Sequence, residues 1–232
     1  MTESGGSGRG LDPGTGPATG PGRDPESDPG AAAQTDFDAV AHVRAAFEDG
    51  ARLKRVVADT LAPAIARAAG WIADAYREGG KTLLFGNGGS AADAQHIAAE
   101  WTGRLRGERA ALPSLALTAN TSDLTAIGND YGFDRVFARL VEAHGRPGDV
   151  AIAISTSGNS PNVIAAVGEA RARRLRTIGL LGRGGGKLRE RVDLAIVIPS
   201  DDTQRIQECH IAAAHAIAEV VDRLLFPELG GA

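Results

Sequence analysis

The chain has 232 residues, 43% hydrophobic and 23% charged, enough to bury a core as one domain or two small ones. That excludes a collagen-like or wholly disordered chain, and the single cysteine, Cys209, excludes a disulfide-stapled one and fits a reducing, cytoplasmic setting. A net charge of -4 and a pI near 5.8 give no basic field for nucleic acid or an anionic membrane, so neither is expected as a partner.

Residues 1 to 30 hold nine glycines and five prolines, with Met1 and Leu11 the only large apolar side chains. Such a segment buries too little surface to offset its ordering entropy. Residues 1–36 are therefore expected to be a disordered tail, ahead of one domain spanning 37–232. The N-terminus has no apolar segment of the kind a secretory signal needs, and no apolar run is expected to span a membrane.

From Phe37 through Val40, Val43, Phe47, Leu53, Val56, Val57 and Leu61, apolar residues recur every three to four positions. Pro63 suggests a break or a new start, and Gly79-Gly80 a stop. Two N-terminal helices, or one long kinked one, are expected. After Gly80 come five short apolar runs, at about 82–85, 115–117, 150–154, 177–181 and 194–198. They do not alternate with polar residues, which predicts burial on both faces, as in a parallel sheet. Helical stretches at about 90–102, 121–143, 160–174, 186–191 and 203–225 separate and follow them. The expected fold class is α/β: a three-layer, doubly wound parallel sheet with N-terminal helices and a long C-terminal helix.

Two Gly/Ser-rich turns follow strands: Gly86-Asn-Gly-Gly-Ser90 and Ser155-Thr-Ser-Gly-Asn-Ser160. A strand, such a loop and a helix N-terminus together offer backbone N–H groups, hydroxyls and a positive dipole end, which suits a phosphate. There is no P-loop lysine and no GxGxxG, so a nucleotide is not indicated. Both turns also read as helix caps: Ser90 with Asp93 as a capping box, Ser160 before Pro161 as an N-cap with proline at N1.

His96 and Glu100 are four residues apart on one helix face, and Gln207 and His215 lie about two turns apart on the last helix. Imidazole, carboxylate and amide oxygen can bind a divalent metal such as zinc. His96 and Glu100 can equally form a surface ion pair or an acid/base pair. His210 faces elsewhere and is expected to be structural or interfacial. His42 and His144 read as surface residues, and Cys209 as a small core hydrophobe.

Five blocks occur in order: Leu84 to His96, Glu100 to Arg104, Gly128 to Asp130, Ser155 to Ser160, and Arg205 to Glu208. Together they resemble the phosphoheptose isomerases of the sugar isomerase (SIS) superfamily, over about residues 38 to 226. The resemblance implies a five-stranded sheet, a homotetramer, and conversion of sedoheptulose 7-phosphate to D-glycero-D-manno-heptose 7-phosphate, the first step towards nucleotide-activated heptose. It implies His96, Glu100, Gln207 and His215 as ligands of one zinc per subunit, with Glu100 and His215 as the catalytic acid/base pair. It implies substrate contacts from Gly88, Gly89, Ser90, Glu100, Asn129, Asp130, Ser155, Thr156, Ser157, Ser160 and Gln207, with Asp93 and Arg104 as weaker candidates. Trp101 departs from the smaller aliphatic residue usual there. Rival readings are a non-catalytic relative that binds the bacterial replication initiator, a sugar-phosphate-sensing regulator, or an isomerase of hexose phosphates. The first lacks the acid and histidine that Glu100 and His215 supply here. The second needs a helix-turn-helix domain for which residues 1–36 are too short and polar. The third shares the fold, and the His96/Glu100 and Gln207/His215 set favours heptose.

Overall fold

The computed structural model describes residues 37–228. The expected tail, residues 1–36, lies outside the described residues.

Five strands form one all-parallel sheet: β1 (Thr82–Gly86), β2 (Ser114–Ala116), β3 (Val150–Ser155), β4 (Arg176–Leu181) and β5 (Leu194–Val197). Their order is β2-β1-β3-β4-β5. Every residue of β1 and β3 is buried, the burial on both faces that their unbroken apolar texture predicts. Alternate side chains enter different cores. Leu84, Ile152, Ile154, Ile178 and Leu180 join Ala68, Ile72, Ile97, Ile206 and Ile217 on one face. Leu83, Phe85, Ala151, Ala153 and Leu181 join Phe137, Val141, Val163 and Val167 on the other. The first face therefore carries α1 (Ala39–Arg77), α2 (Gly89–Thr102) and α6 (Thr203–Leu225). The second carries α4 (Val136–His144) and α5 (Pro161–Ala172).

The N-terminal region is one 39-residue helix, α1, with Pro63 inside it. Pro63 costs one backbone hydrogen bond, and the small residues Ala68, Ala69 and Ala73, all fully buried, hold the helix close to the core. One 18-residue window of α1 has a mean hydropathy of 1.2, enough by length and composition to cross a membrane. That corrects the expectation that no such run exists. The second half of α1 instead packs as part of the core.

Two further expectations are corrected. The stretch 121–143 is two helices, α3 (Thr121–Tyr131) and α4, separated at Gly132 and a short 3-10 turn, Phe133–Arg135. The stretch at 186–191 is no α-helix; a 3-10 turn, Arg183–Leu188, stands there, its run Gly184–Gly186 in non-helical backbone.

After β1 the chain moves outward to β2, then crosses back to β3 on the other side of β1. The loops that leave β1 and β3 thus flank the point where strand order reverses, the crevice where open α/β sheets bind ligands.

Candidate active site

The two Gly/Ser loops meet at this crevice. Asn87 and Asn162 exchange two amide hydrogen bonds, each Nδ2 donating to the other's Oδ1 at 2.9 Å. Asn162 is buried, in the first turn of α5. The pair ties the β1 loop to the helix that follows the β3 loop. Neither asparagine stood out in the sequence, since each sits among better-known loop residues. A side-chain amide directly after β1 and another in the first turn of α5 were the signals available.

The capping-box expectation for Ser90 and Asp93 is corrected. The N-cap of α2 is Gly88, at φ 56° with no side-chain cap. Ser90 lies inside the first turn and is buried. Asp93 makes no cap; its Oδ2 is buried without a hydrogen-bond partner. Burial pushes the Asp93 carboxyl above its ordinary range, and the nearby His96 opposes that shift.

Around β3, the Gly158 N–H donates to Ser155 Oγ at 3.1 Å, and the hydroxyls of Ser155 and Ser160 lie 3.2 Å apart. The Asn159 N–H donates to Ser157 Oγ at 3.2 Å. Ser160 is the N-cap of α5 with Pro161 at N1, as expected, but its hydroxyl caps no N–H. It faces Ser155 instead, and the first-turn Val163 N–H is taken by Asn162 Oδ1 at 2.9 Å, so the start of α5 offers an anion its dipole and the loop hydroxyls rather than that N–H. The 3-10 turn after β4 braces this loop, a support that sequence reading missed. The Lys187 N–H donates to Asn159 Oδ1 at 3.1 Å and the Leu188 N–H to the Gly158 carbonyl at 3.0 Å. A third glycine-rich segment after a third strand was the available clue.

On the other side of the crevice, α2 and α6 pack together. His96 Nε2 lies 3.0 Å from His215 Nε2 and 3.2 Å from Glu100 Oε1. One donor atom from each of the three residues falls within 4.8 Å of the others. Two imidazole nitrogens and a carboxylate oxygen, converging from two helices, are a donor set fit for a divalent ion. Tetrahedral zinc with bonds near 2.0 Å sets its nitrogens roughly 3.3 Å apart, close to the spacing found. Gln207, on the same helix as His215, lies against Gly89, whose missing Cβ would stand 3.0 Å from Gln207 Cδ. The amide thus reaches the first turn of α2, beside the β1 loop.

Thr156 is half-buried in the β3 loop. Asn129 and Asp130 are exposed near the end of α3, with Asn129 Nδ2 donating to Asp130 Oδ1 at 2.9 Å. Arg104, just past α2, is exposed and 3.7 Å from Glu108. Arg205 and Glu208, though in a recognised block, serve α1: Arg205 Nη1 donates to the Ala46 carbonyl at 2.9 Å and to Glu208 at 2.8 Å. Trp101 is a core residue, edge-on to Tyr76 at 6.2 Å between ring centres. His210 is fully buried, its Nε2 3.0 Å from the Leu181 carbonyl oxygen. Cys209 is buried, and burial pushes its thiol up, as befits a core hydrophobe.

The fold and the paired loops define a SIS domain, and the SIS-domain family matches residues 47–182. The chain is 56% identical over 176 residues to a phosphoheptose isomerase from Roseiflexus, covering 76% of this chain and 89% of that one. It is 51% identical to the phosphoheptose isomerase of Aquifex aeolicus, covering 79% and 96%. Among solved structures, the phosphoheptose isomerase of Neisseria gonorrhoeae superimposes with a TM-score of 0.75 at 46% identity, over 79% of this chain and 98% of that one. That of Francisella tularensis gives 0.78 at 36% identity, over 81% and 100%. The chain belongs to the phosphoheptose isomerase family of SIS-domain proteins, and it is an isomerase. The NanR protein of Vibrio vulnificus, at 18% identity and a TM-score of 0.52, shows the fold alone.

Proposed function

We propose that the protein interconverts sedoheptulose 7-phosphate and D-glycero-D-manno-heptose 7-phosphate at the crevice between the paired loops and the His96–Glu100–His215 cluster. The observation that carries this reading is the convergence of those three side chains, from helices far apart in sequence, beside two anion-suited loops.

Ketose-to-aldose conversion moves a proton from C1 to C2. Glu100 is assigned as the base that takes the C1 proton, giving an enediol in which O2 gains a proton. His215 relays the oxygen proton, so that O1 loses one as the new carbonyl forms at C1. Glu100 then returns its proton to C2. A carboxylate and an imidazole side by side at the reacting carbons divide this labour near neutral pH. His96, Glu100, His215 and Gln207 would hold one zinc per subunit. Bound there, zinc would stabilise the negative charge that develops on the sugar oxygens. Ser155, Thr156, Ser157 and Ser160 hold the 7-phosphate with the α5 N-terminus. Gly88, Gly89, Ser90, Asn129, Asp130 and Gln207 line the sugar. Asp93 and Arg104 flank it.

The exposed Val40, Val43, Phe47 and Val56 on α1, and the apolar groove between α1 and α6 lined by Val57, Ile65, Ala213 and Val220, support assembly as a homotetramer. Light scattering of the purified protein tests that. The isomerase domain is assigned to residues 37–232 and the site of action to the cytoplasm, supported by the lone buried cysteine. The decisive experiment incubates purified protein with sedoheptulose 7-phosphate and follows the new aldose phosphate by NMR. Absence of that product, with the protein folded and metal-loaded, would sink the reading.

A further inference from the structure

The separation of Glu100 from His215 depends on how α2 is held against α6. One side chain joins the two helices from outside both of them. Arg109 lies in the irregular segment between α2 and β2, and its side chain is 1% exposed. Its Nε donates to Asp222 Oδ1 at 2.7 Å. Its Nη2 donates to the Glu100 carbonyl at 2.7 Å and its Nη1 to the Trp101 carbonyl at 3.0 Å. Asp222 lies two turns beyond His215 on α6, and its side chain is 10% exposed. The Phe226 ring covers the guanidinium at 5.7 Å.

The last carbonyls of a helix lack partners within it and carry the negative end of the helix dipole. Arg109 meets two of them with a buried positive charge, one belonging to Glu100 itself. The same planar fork reaches the α6 carboxylate, which a lysine cannot do while holding both carbonyls. A buried ion pair by itself is poor evidence of a stabilising role. This one stands out by its placement, joining the two helices that carry the cluster.

We propose that Arg109 is a positioning residue, which locks the end of α2 bearing Glu100 to the α6 helix bearing His215 and so sets the spacing of the cluster. The proposal rests on the catalytic reading of Glu100 and His215. A plain structural pair is available as a control: Lys81 Nζ lies 2.6 Å from Asp149 Oδ2, with Asp149 3% exposed, at the opposite end of the strands.

Arg109→Met, Arg109→Lys, Asp222→Asn and Lys81→Met are compared as full chains, at a temperature where circular dichroism finds each folded. Three quantities are read: hydrogen exchange in the second half of α2, zinc-ion affinity by chelator competition, and kcat with KM for sedoheptulose 7-phosphate. In Arg109→Met, exchange there should rise at least about tenfold and zinc affinity fall about 10-fold to 100-fold, as when a metal site loses its outer support. Its kcat should fall at least about tenfold with KM nearly unchanged, the mark of a displaced acid/base group. Arg109→Lys should recover stability but not kcat. Lys81→Met should lower the melting temperature with none of the site effects. If Arg109→Met fails to fold, Asp222→Asn, which leaves the carbonyl contacts, carries the same expectations at smaller size. Wild-type exchange, zinc affinity and kcat in the folded variant, or equal losses in Lys81→Met, would overturn the proposal. Exchange and zinc affinity do not depend on Glu100 acting as base. Should Glu100→Gln keep turnover while Arg109→Met still loosens α2, the catalytic assignment falls and the clamp stands.

Discussion

His96 and His215 meet Nε2 to Nε2 at 3.0 Å across 119 residues of sequence. Two neutral imidazoles satisfy that contact with a single shared proton, and a cation between them satisfies both without one. The arrangement favours metal. Protein purified without chelator should carry about one divalent ion per subunit. His96→Ala and His215→Ala should each lose it, as read by elemental analysis, with the fold retained because His96 is exposed and His215 only partly buried.

Glu100→Gln keeps the size of the side chain and removes the base. Turnover should fall by about 10²-fold to 10⁴-fold, while sugar phosphate still binds. Single-turnover assays with substrate deuterated at C1 read the step directly. Near wild-type turnover would reject Glu100 as the base.

Ser155→Ala and Ser157→Ala each remove a hydroxyl from the β3 loop. A hydrogen bond to a charged oxygen contributes on the order of 1.5 to 3 kcal/mol. Substrate affinity should drop by roughly tenfold to a hundredfold in each, by calorimetry with sugar phosphate. Unchanged affinity in both would leave the loop as a helix start and nothing more.

Gly158→Ala and Gly89→Ala should part company. Gly158 has φ 64°, and an added Cβ would strike the Gly185 carbonyl, fixed backbone on a neighbouring segment. Strain and clash together should cost on the order of 3 kcal/mol of stability. At Gly89 the added Cβ meets the end of the Gln207 side chain, which can swing aside. Stability should change by less than about 1 kcal/mol, while zinc affinity and turnover fall. Denaturant unfolding and activity, measured together, separate the two.

His210 donates from Nε2 to a carbonyl in the core, and burial lowers its pKa to about 4, with that hydrogen bond opposing. The unfolded chain takes up the proton near pH 6.5, the folded one only near 4. Stability is therefore fully present above about pH 6.5 and declines below it, by about 3 kcal/mol on reaching pH 4. His210→Gln keeps a donor and cannot titrate. Its denaturant midpoint should fall less steeply with acid than that of the wild type; parallel slopes would contradict the assignment.

Strand texture made the sheet legible, because residues buried on both faces must be apolar at every position, as in Val150 to Ser155. The i,i+4 rule placed His96 and Glu100 on one face, 3.2 Å apart. Local signals failed where a distant contact decides. Ser90 beside Asp93 has the spelling of a capping box, yet Gly88 starts the helix and Ser90 is drawn into the core. The Asn87–Asn162 pair and Arg109 hold their positions through partners 75 and 113 residues away, and no periodicity records such pairings. Pro63 reads as a break from its own chemistry, while the packing of its flanking turns keeps α1 whole.

The reciprocal amide bonds between Asn87 and Asn162 have a consequence for working conditions. Neither group gains or loses a proton in any ordinary buffer, and neither carries a charge for dissolved ions to shield. The link between the β1 loop and α5 is thus insulated from acidity and ionic strength, whereas Glu100 and His215, in the acid/base role proposed for them, would change protonation. Variation of rate with pH or salt would then report on the reacting groups and the bound phosphate, with the frame that holds them staying constant.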